Sequence, residues 1–201
     1  MLETVGVSPK TTQLLRAVSW WAFWLWAPVP VVLIGLLLSG HLLTLPAPEP
    51  ARLKVEGSGW RALHVLALKC ACSRQVIDHL TARGAVAGFS EKLLLIGDDA
   101  QIAARVRAAG FAFESIDSKA LEARYGIKGA PLLVVVSPAD DVRYSGGYSP
   151  NKRGPPQDLA IFAALQGGQP TAALPLFGCA VSKALQAQVD PLGLTYSSSN
   201  P

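Results

Sequence analysis

From Ala17 to Leu45 the chain carries no Asp, Glu, Lys or Arg, and no other feature limits its fold as strongly. A helix needs about 20 apolar residues to cross ~30 Å of hydrocarbon, so residues 17–45 are long enough for a transmembrane anchor. Trp20, Trp21, Trp24 and Trp26 crowd the N-terminal end of the run, Val29 to Leu38 is its most lipid-like part, and His41 lies near the exit. Indole rings favour the headgroup boundary, which fits that order. A buried soluble helix is the bland alternative. A cleaved signal peptide is the sharper one, since Lys10 and Arg16 precede the run, but its apolar region spans only about 7–15 residues. No cysteine follows until Cys70, which excludes a lipoprotein junction. Lys10 and Arg16 on one side face Arg52, Lys54 and Arg61 on the other, so positive charge does not orient the anchor.

The chain divides accordingly into a tail (1–16), the anchor (17–45), a linker (46–59), a domain (60–167) and a C-terminal extension (168–201). Pro46, Pro48 and Pro50 make the linker a stiff, extended spacer. The net charge is +4, but the basic residues are scattered and no dense basic run stands beside stacking aromatics, which argues against nucleic acid as a partner. There are three cysteines, Cys70, Cys72 and Cys179. That is too few for a disulfide scaffold and an odd number, so at least one thiol is left for chemistry, a metal or burial.

Within the domain, apolar period and punctuation alternate. Residues 61–68, RALHVLAL, read as a strand leading into Cys70-Ala71-Cys72-Ser73 and the helical pattern of Val76, Ile77 and Leu80. Lys92 to Ile96 reads as a buried strand. A helix with Ile102, Ala103, Val106 and Ala109 on one face follows, capped by Asp98 or Asp99 and stopped at Gly110. Phe111 to Ile116 predicts another strand, and Ser118 to Tyr125 a short helix capped by Ser118. After Gly129-Ala130-Pro131 come the buried strand 132–136, a hairpin through Val142 to Tyr144, and a helix over Asp158 to Leu165. Strands alternating with helices imply an α/β domain, a mixed sheet with helices on both faces.

This order, with a cysteine motif at a helix start and Gly-Ala-Pro before a hairpin, resembles the thioredoxin-like superfamily over roughly 60–167. In particular it is similar to the TlpA and ResA type of membrane-anchored bacterial thiol-disulfide oxidoreductase. The segment IGDDAQIAARVRAAGFAFESIDSKALEARYGIKGAPLLVVVSPADDVRYSGGY is the most specific part of the likeness. The resemblance implies that Pro131 is cis and faces the cysteines, with the Ala130 backbone turned outward to pair with an extended segment of a substrate. It departs from the family where one residue, not two, separates Cys70 from Cys72. Either Cys70 takes the attacking place with Ser73 where a resolving cysteine would stand, or Cys72 takes the inner place and Lys69 fills the attacking slot.

A thiolate in the first turn of a helix is favoured by the positive end of the helix dipole, and Lys69 and Arg74 add positive charge. Cys70 and Cys72 are therefore the candidate catalytic thiols, and Ala130 and Pro131 the candidate substrate contacts. Cys179 precedes a helix expected to run through Val189. It is either a third thiol that folds back to the pair or a buried cysteine packed with Leu176 and Phe177. His64 and His79 lack ligand spacing to the cysteines and read as core or surface histidines.

The expected function is thiol–disulfide exchange with cysteine pairs of exported proteins, without a cofactor or metal, by a domain outside a bacterial inner membrane, where disulfides persist. Two rivals stand beside it. One is a copper-handling protein holding Cu(I) on Cys70 and Cys72, with or without Cys179, because soft thiolates favour that ion. The other is a tethered binding module that kept the fold without catalysis.

Overall fold

The computed structural model describes residues 9–42, 44–50, 53, 55–193 and 195–196. Residues 1–8 of the expected tail, Arg52 and Lys54 of the linker, and residues 197–201 of the extension lie outside the described residues. The chain forms two compact units, Met1–Leu42 and Leu43–Pro201.

The first unit is two helices, α1 (Pro9–Trp26) and α2 (Pro28–Leu42), where a single anchor helix was expected. The physical reason is Pro28, which has no N–H for the helical ladder and a fixed φ suited to the first position of a new helix. The ladder therefore closes at Ala27, whose amide donates to the Phe23 carbonyl at 2.8 Å. Within this unit Val18–Gly35 is long and apolar enough to cross a membrane, with a mean hydropathy of 1.5 and none of it buried. Trp20, Trp21, Trp24, Val31 and Ile34 all stand exposed, as side chains that face lipid would.

The second unit is built on a five-stranded sheet ordered β3-β2-β1-β5-β6. Its strands are β1 (Trp60–Ala67), β2 (Phe89–Ile96), β3 (Ala112–Ile116), β5 (Leu132–Val136) and β6 (Val142–Gly146). β1, β2 and β3 run parallel, whereas β5 is antiparallel to β1 and to β6. The parallel strands are joined by α3 (Ala71–Arg83) and α4 (Ala100–Ala108). Beyond β3 come α5 (Ser118–Tyr125), a two-residue strand β4 (Gly129–Ala130) and, after the hairpin, α6 (Asp158–Gln166). This is the expected thioredoxin-like arrangement, a mixed sheet with helices on both faces.

Side-chain alternation splits the core into two layers. Ala62 and Leu66 of β1, Leu93 and Leu95 of β2, and Leu133 and Val135 of β5 pack with Val76, Ile77 and Leu80 of α3 and Phe162 of α6. Leu63 and Val65 of β1, Leu94 of β2, and Leu132 and Val134 of β5 face the opposite way, toward Leu121 and Tyr125 of α5. Capping decides between the two residues offered for α4 and corrects the one expected for α5. Asp99, not Asp98, caps α4, accepting from the amides of Gln101 and Ile102. Asp117, not Ser118, caps α5, accepting from Lys119 and Ala120, because the capping side chain must stand one residue ahead of the first helical turn.

The extension was set outside the domain in the sequence, yet it is built into it. β7 (Cys179–Ala180) and α7 (Lys183–Val189) belong to the α5 side of the core, where Leu176, Val181 and Leu185 are all buried. Leu176 also forms a bridge with Leu45, the last residue of the expected anchor, which belongs instead to this second unit, its amide donating to the Leu176 carbonyl at 2.9 Å.

Candidate functional site

The turn after β1 is tied at both ends. The Cys70 amide donates to the Ala67 carbonyl at 3.0 Å, and the buried Ser73 hydroxyl accepts from the Ala67 amide at 3.0 Å. Cys70 itself is extended (φ −93°, ψ 124°) and is the N-cap of α3, its carbonyl accepting from Arg74. Cys70 therefore sits at the positive end of a helix, a place that favours negative charge, and its side chain makes no capping hydrogen bond. Of the two registers the sequence left open, the geometry has Cys70 at the helix start, Ser73 buried beneath it and Lys69 exposed in the preceding turn.

The second wall comes from far along the chain. The Ala130–Pro131 peptide is cis, and β4, which ends at it, pairs antiparallel with β7, Gly129 opposite Ala180 and Ala130 opposite Cys179. The approach is close enough that a Cβ on Gly178 would strike the Ala130 carbonyl oxygen and come within 2.6 Å of Pro131 Cδ. Only glycine fits there. This register carries Cys179 across to Cys70, and the two form a disulfide with a Cα separation of 6.1 Å.

Cys72, in the first turn of α3, is a half-buried free thiol. It shares a shallow cleft of about 40 Å³ with Pro131, Tyr148 and Phe177. The structure thus brings together all the sequence-chosen residues, Cys70, Cys72, Ala130, Pro131 and Cys179, but joins Cys70 to the distant cysteine and not to its near neighbour. A second, larger cleft of about 660 Å³ lies against the bridge. Ala67, Ile96, Ile116 and Val181 give it an apolar floor, and both bridged cysteines line it. Tyr196, on its wall, takes a hydrogen bond from the Ala180 amide at 2.8 Å. Burial pushes this phenol's pKa up, while that bond pulls against the rise. Among the described residues no group of three or more His, Cys, Asp or Glu is placed to hold a metal.

His64 and His79 turn out to serve a buried polar network beneath α3. His64, fully buried, pairs through Nδ1 with the Tyr148 hydroxyl at 2.7 Å and through Nε2 with Glu91 at 2.9 Å. Arg83 donates to Glu91 and, at 2.8 Å, to the buried Asp158, which also pairs with His79 at 2.8 Å. Burial alone would raise the Glu91 carboxyl, but hydrogen bonds from His64 and Arg83 outweigh it and hold the pKa at about 2. Burial drives the Tyr148 phenol well above its ordinary value. The network went unread in the sequence, although the histidine within RALHVLAL was a sign of a buried polar partner; Glu91 stands one residue ahead of the strand read at 92–96, and β2 takes it in.

No family model matches the chain, and no curated protein does. Among solved structures, a hypothetical protein from Sinorhizobium meliloti is 16% identical with a TM-score of 0.49, covering 70% of this chain and 91% of that one. An uncharacterized conserved protein from Geobacillus kaustophilus is 16% identical with a TM-score of 0.48, covering 70% and 90%. A thioredoxin-like protein in the oxidized form is 9% identical with a TM-score of 0.43, covering 64% and 94%. The functional reading rests on this chain's own residues.

Proposed function

We propose that this protein is a thiol–disulfide oxidoreductase whose redox pair is Cys70 and Cys179, held by the apolar N-terminal segment on the outer side of a bacterial cytoplasmic membrane. The observation that supports it is the bridge itself, set at the start of α3 and beside the cis proline. A partner thiolate attacks one sulfur of the bridge. The S–S bond breaks, a mixed disulfide forms, and the other sulfur leaves as a thiolate. A second partner thiol then attacks the mixed disulfide, so the partner leaves oxidised by two electrons while Cys70 and Cys179 take up two electrons and two protons. The reverse sequence reduces a partner disulfide. The stability of disulfides outside the cytoplasm supports the outward placement of the domain.

The test has two parts. A reporter active only in the cytoplasm, fused after Pro201, should be silent, and strong activity would reverse the orientation. Mass analysis of alkylated protein across a glutathione redox series should show Cys70 and Cys179 titrating together while Cys72 stays a thiol. Reduced, anaerobically purified protein holding one equivalent of Cu(I), with no exchange of disulfides, would instead favour the copper-handling reading.

A further inference from the structure

Taking Cys70 and Cys179 as the redox pair, we propose that the partner enters through the larger cleft and forms its mixed disulfide with Cys179, with Cys70 as the leaving and resolving thiol. The occupant is a cysteine-bearing polypeptide segment with an apolar residue next to its cysteine.

The first reason is that the backbone edge beside Pro131 is already taken. Gly129 and Ala130 are paired with Ala180 and Cys179, so a partner cannot add a strand there without displacing β7. β7 is held by more than the bridge. Leu176, Ala180, Val181 and Leu185 are buried in the same core layer as Leu63, Val65 and Val134, and lifting the extension would strip that face of the sheet. Opening the disulfide therefore leaves the segment docked, and the partner's route must lie elsewhere.

The second reason is access to the sulfurs. Cys70 is only 2% exposed, whereas Cys179 is half-buried, and both line the cleft of about 660 Å³, whose lining does not include Pro131. That volume falls within the usual range of binding clefts. Attack on the more open Cys179 expels Cys70, whose thiolate forms at the positive end of α3, and a stabilised thiolate leaves faster. In the reverse direction the same Cys70 thiolate attacks the Cys179 sulfur of the mixed disulfide, re-forms the bridge and releases the partner's thiolate. Electrons balance in both directions with no further reagent. The floor of Ala67, Ile96, Ile116 and Val181 gives an apolar neighbour of the partner's cysteine a place to be buried. A lone small thiol would leave most of the cleft unfilled.

The experiment uses the full-length protein in detergent and two thiols, N-acetylcysteine amide and a blocked Gly-Leu-Cys-Gly peptide. Acid-quenched reactions are mapped by mass spectrometry, and opening rates are measured for wild type, Ser118→Trp and Ser115→Trp in the larger cleft, and Gln75→Trp in the shallow one. The expected adduct is on Cys179. The peptide should open the bridge about tenfold faster than N-acetylcysteine amide. Either cleft-filling tryptophan should remove that advantage while leaving the small thiol's rate near wild type, which also shows that the variant folds and forms its bridge. Gln75→Trp should behave as wild type. An adduct on Cys70, equal rates for the two thiols, or slowing by Gln75→Trp alone overturns the proposal while leaving the redox pair intact. A bridge that neither thiol opens overturns the redox reading itself.

Discussion

Replacing Cys179 by alanine separates what the bridge contributes to stability from what the docked extension contributes. The disulfide closes a loop between positions 109 apart, and a covalent closure of about that length removes roughly 4.7 kcal/mol of denatured-state entropy at 25 °C, with measured bridges giving about 2–4. Cys179→Ala should therefore lose about 2–5 kcal/mol relative to oxidised wild type and match reduced wild type, because both lack the same constraint. Cys72→Ala, outside the bridge, should stay within about 1 kcal/mol, the usual range for a partly buried site without a special role. Denaturant unfolding of the full-length protein, followed by tyrosine and tryptophan signals, gives these differences. Hydrogen exchange at residues 176–185 supplies the second readout. Leu176, Val181 and Leu185 keep their burial without the sulfur bond, so amides of this segment should remain protected in Cys179→Ala under native conditions. Free exchange there, with the five-stranded sheet still protected, would refute the reasoning that packing and not the bridge holds the extension.

The other predictions concern the buried carboxylate and the glycine at the crossing. Glu91 is held at about pKa 2 against an ordinary value of 4.5, so it contributes stability that is complete above its unfolded pKa and is lost as pH falls from about 4.5 toward 2. At ~1.36 kcal/mol per pKa unit the contribution is about 3 kcal/mol. Glu91→Gln should be about that much less stable at pH 7 and show a flatter acid profile in denaturant titrations, and an unchanged profile would remove the His64–Glu91–Arg83 account. Gly178→Val places a side chain against Ala130 and Pro131, so it should shift the Cys70–Cys179 equilibrium with glutathione toward the open thiols by about tenfold, about 30 mV. An unaltered equilibrium would show that the β4–β7 crossing does not position the sulfurs.

The sequence by itself determined the local elements and their order, because each rests on neighbours. LLVVV at 132–136 is a strand at those residues, the apolar period after Cys70 gives α3, and Asp and Gly punctuate α4 and α5 where caps and stops are needed. The charge-free run from Ala17 likewise declares its own apolar exposure, although Pro28 divides it into two helices. Cys70, Cys72 and Cys179 were legible as candidates from their settings, and Ala130 and Pro131 through the resemblance. Which cysteine pairs with which was not. That depended on β7 lying against β4 in one register, with Gly178 where a side chain would strike Ala130 and Pro131. Residues 174–189 have short, weakly periodic apolar stretches, and nothing in them announces that Leu176, Val181 and Leu185 complete the face of a sheet formed by residues 60–136. The same holds for His64, Glu91, Arg83 and Asp158, whose charges are compatible with burial only because four elements bring them within hydrogen-bonding distance. Propensity and period are properties of a few consecutive residues, whereas pairing across 109 positions is fixed by packing and register, which exist only once the chain has folded.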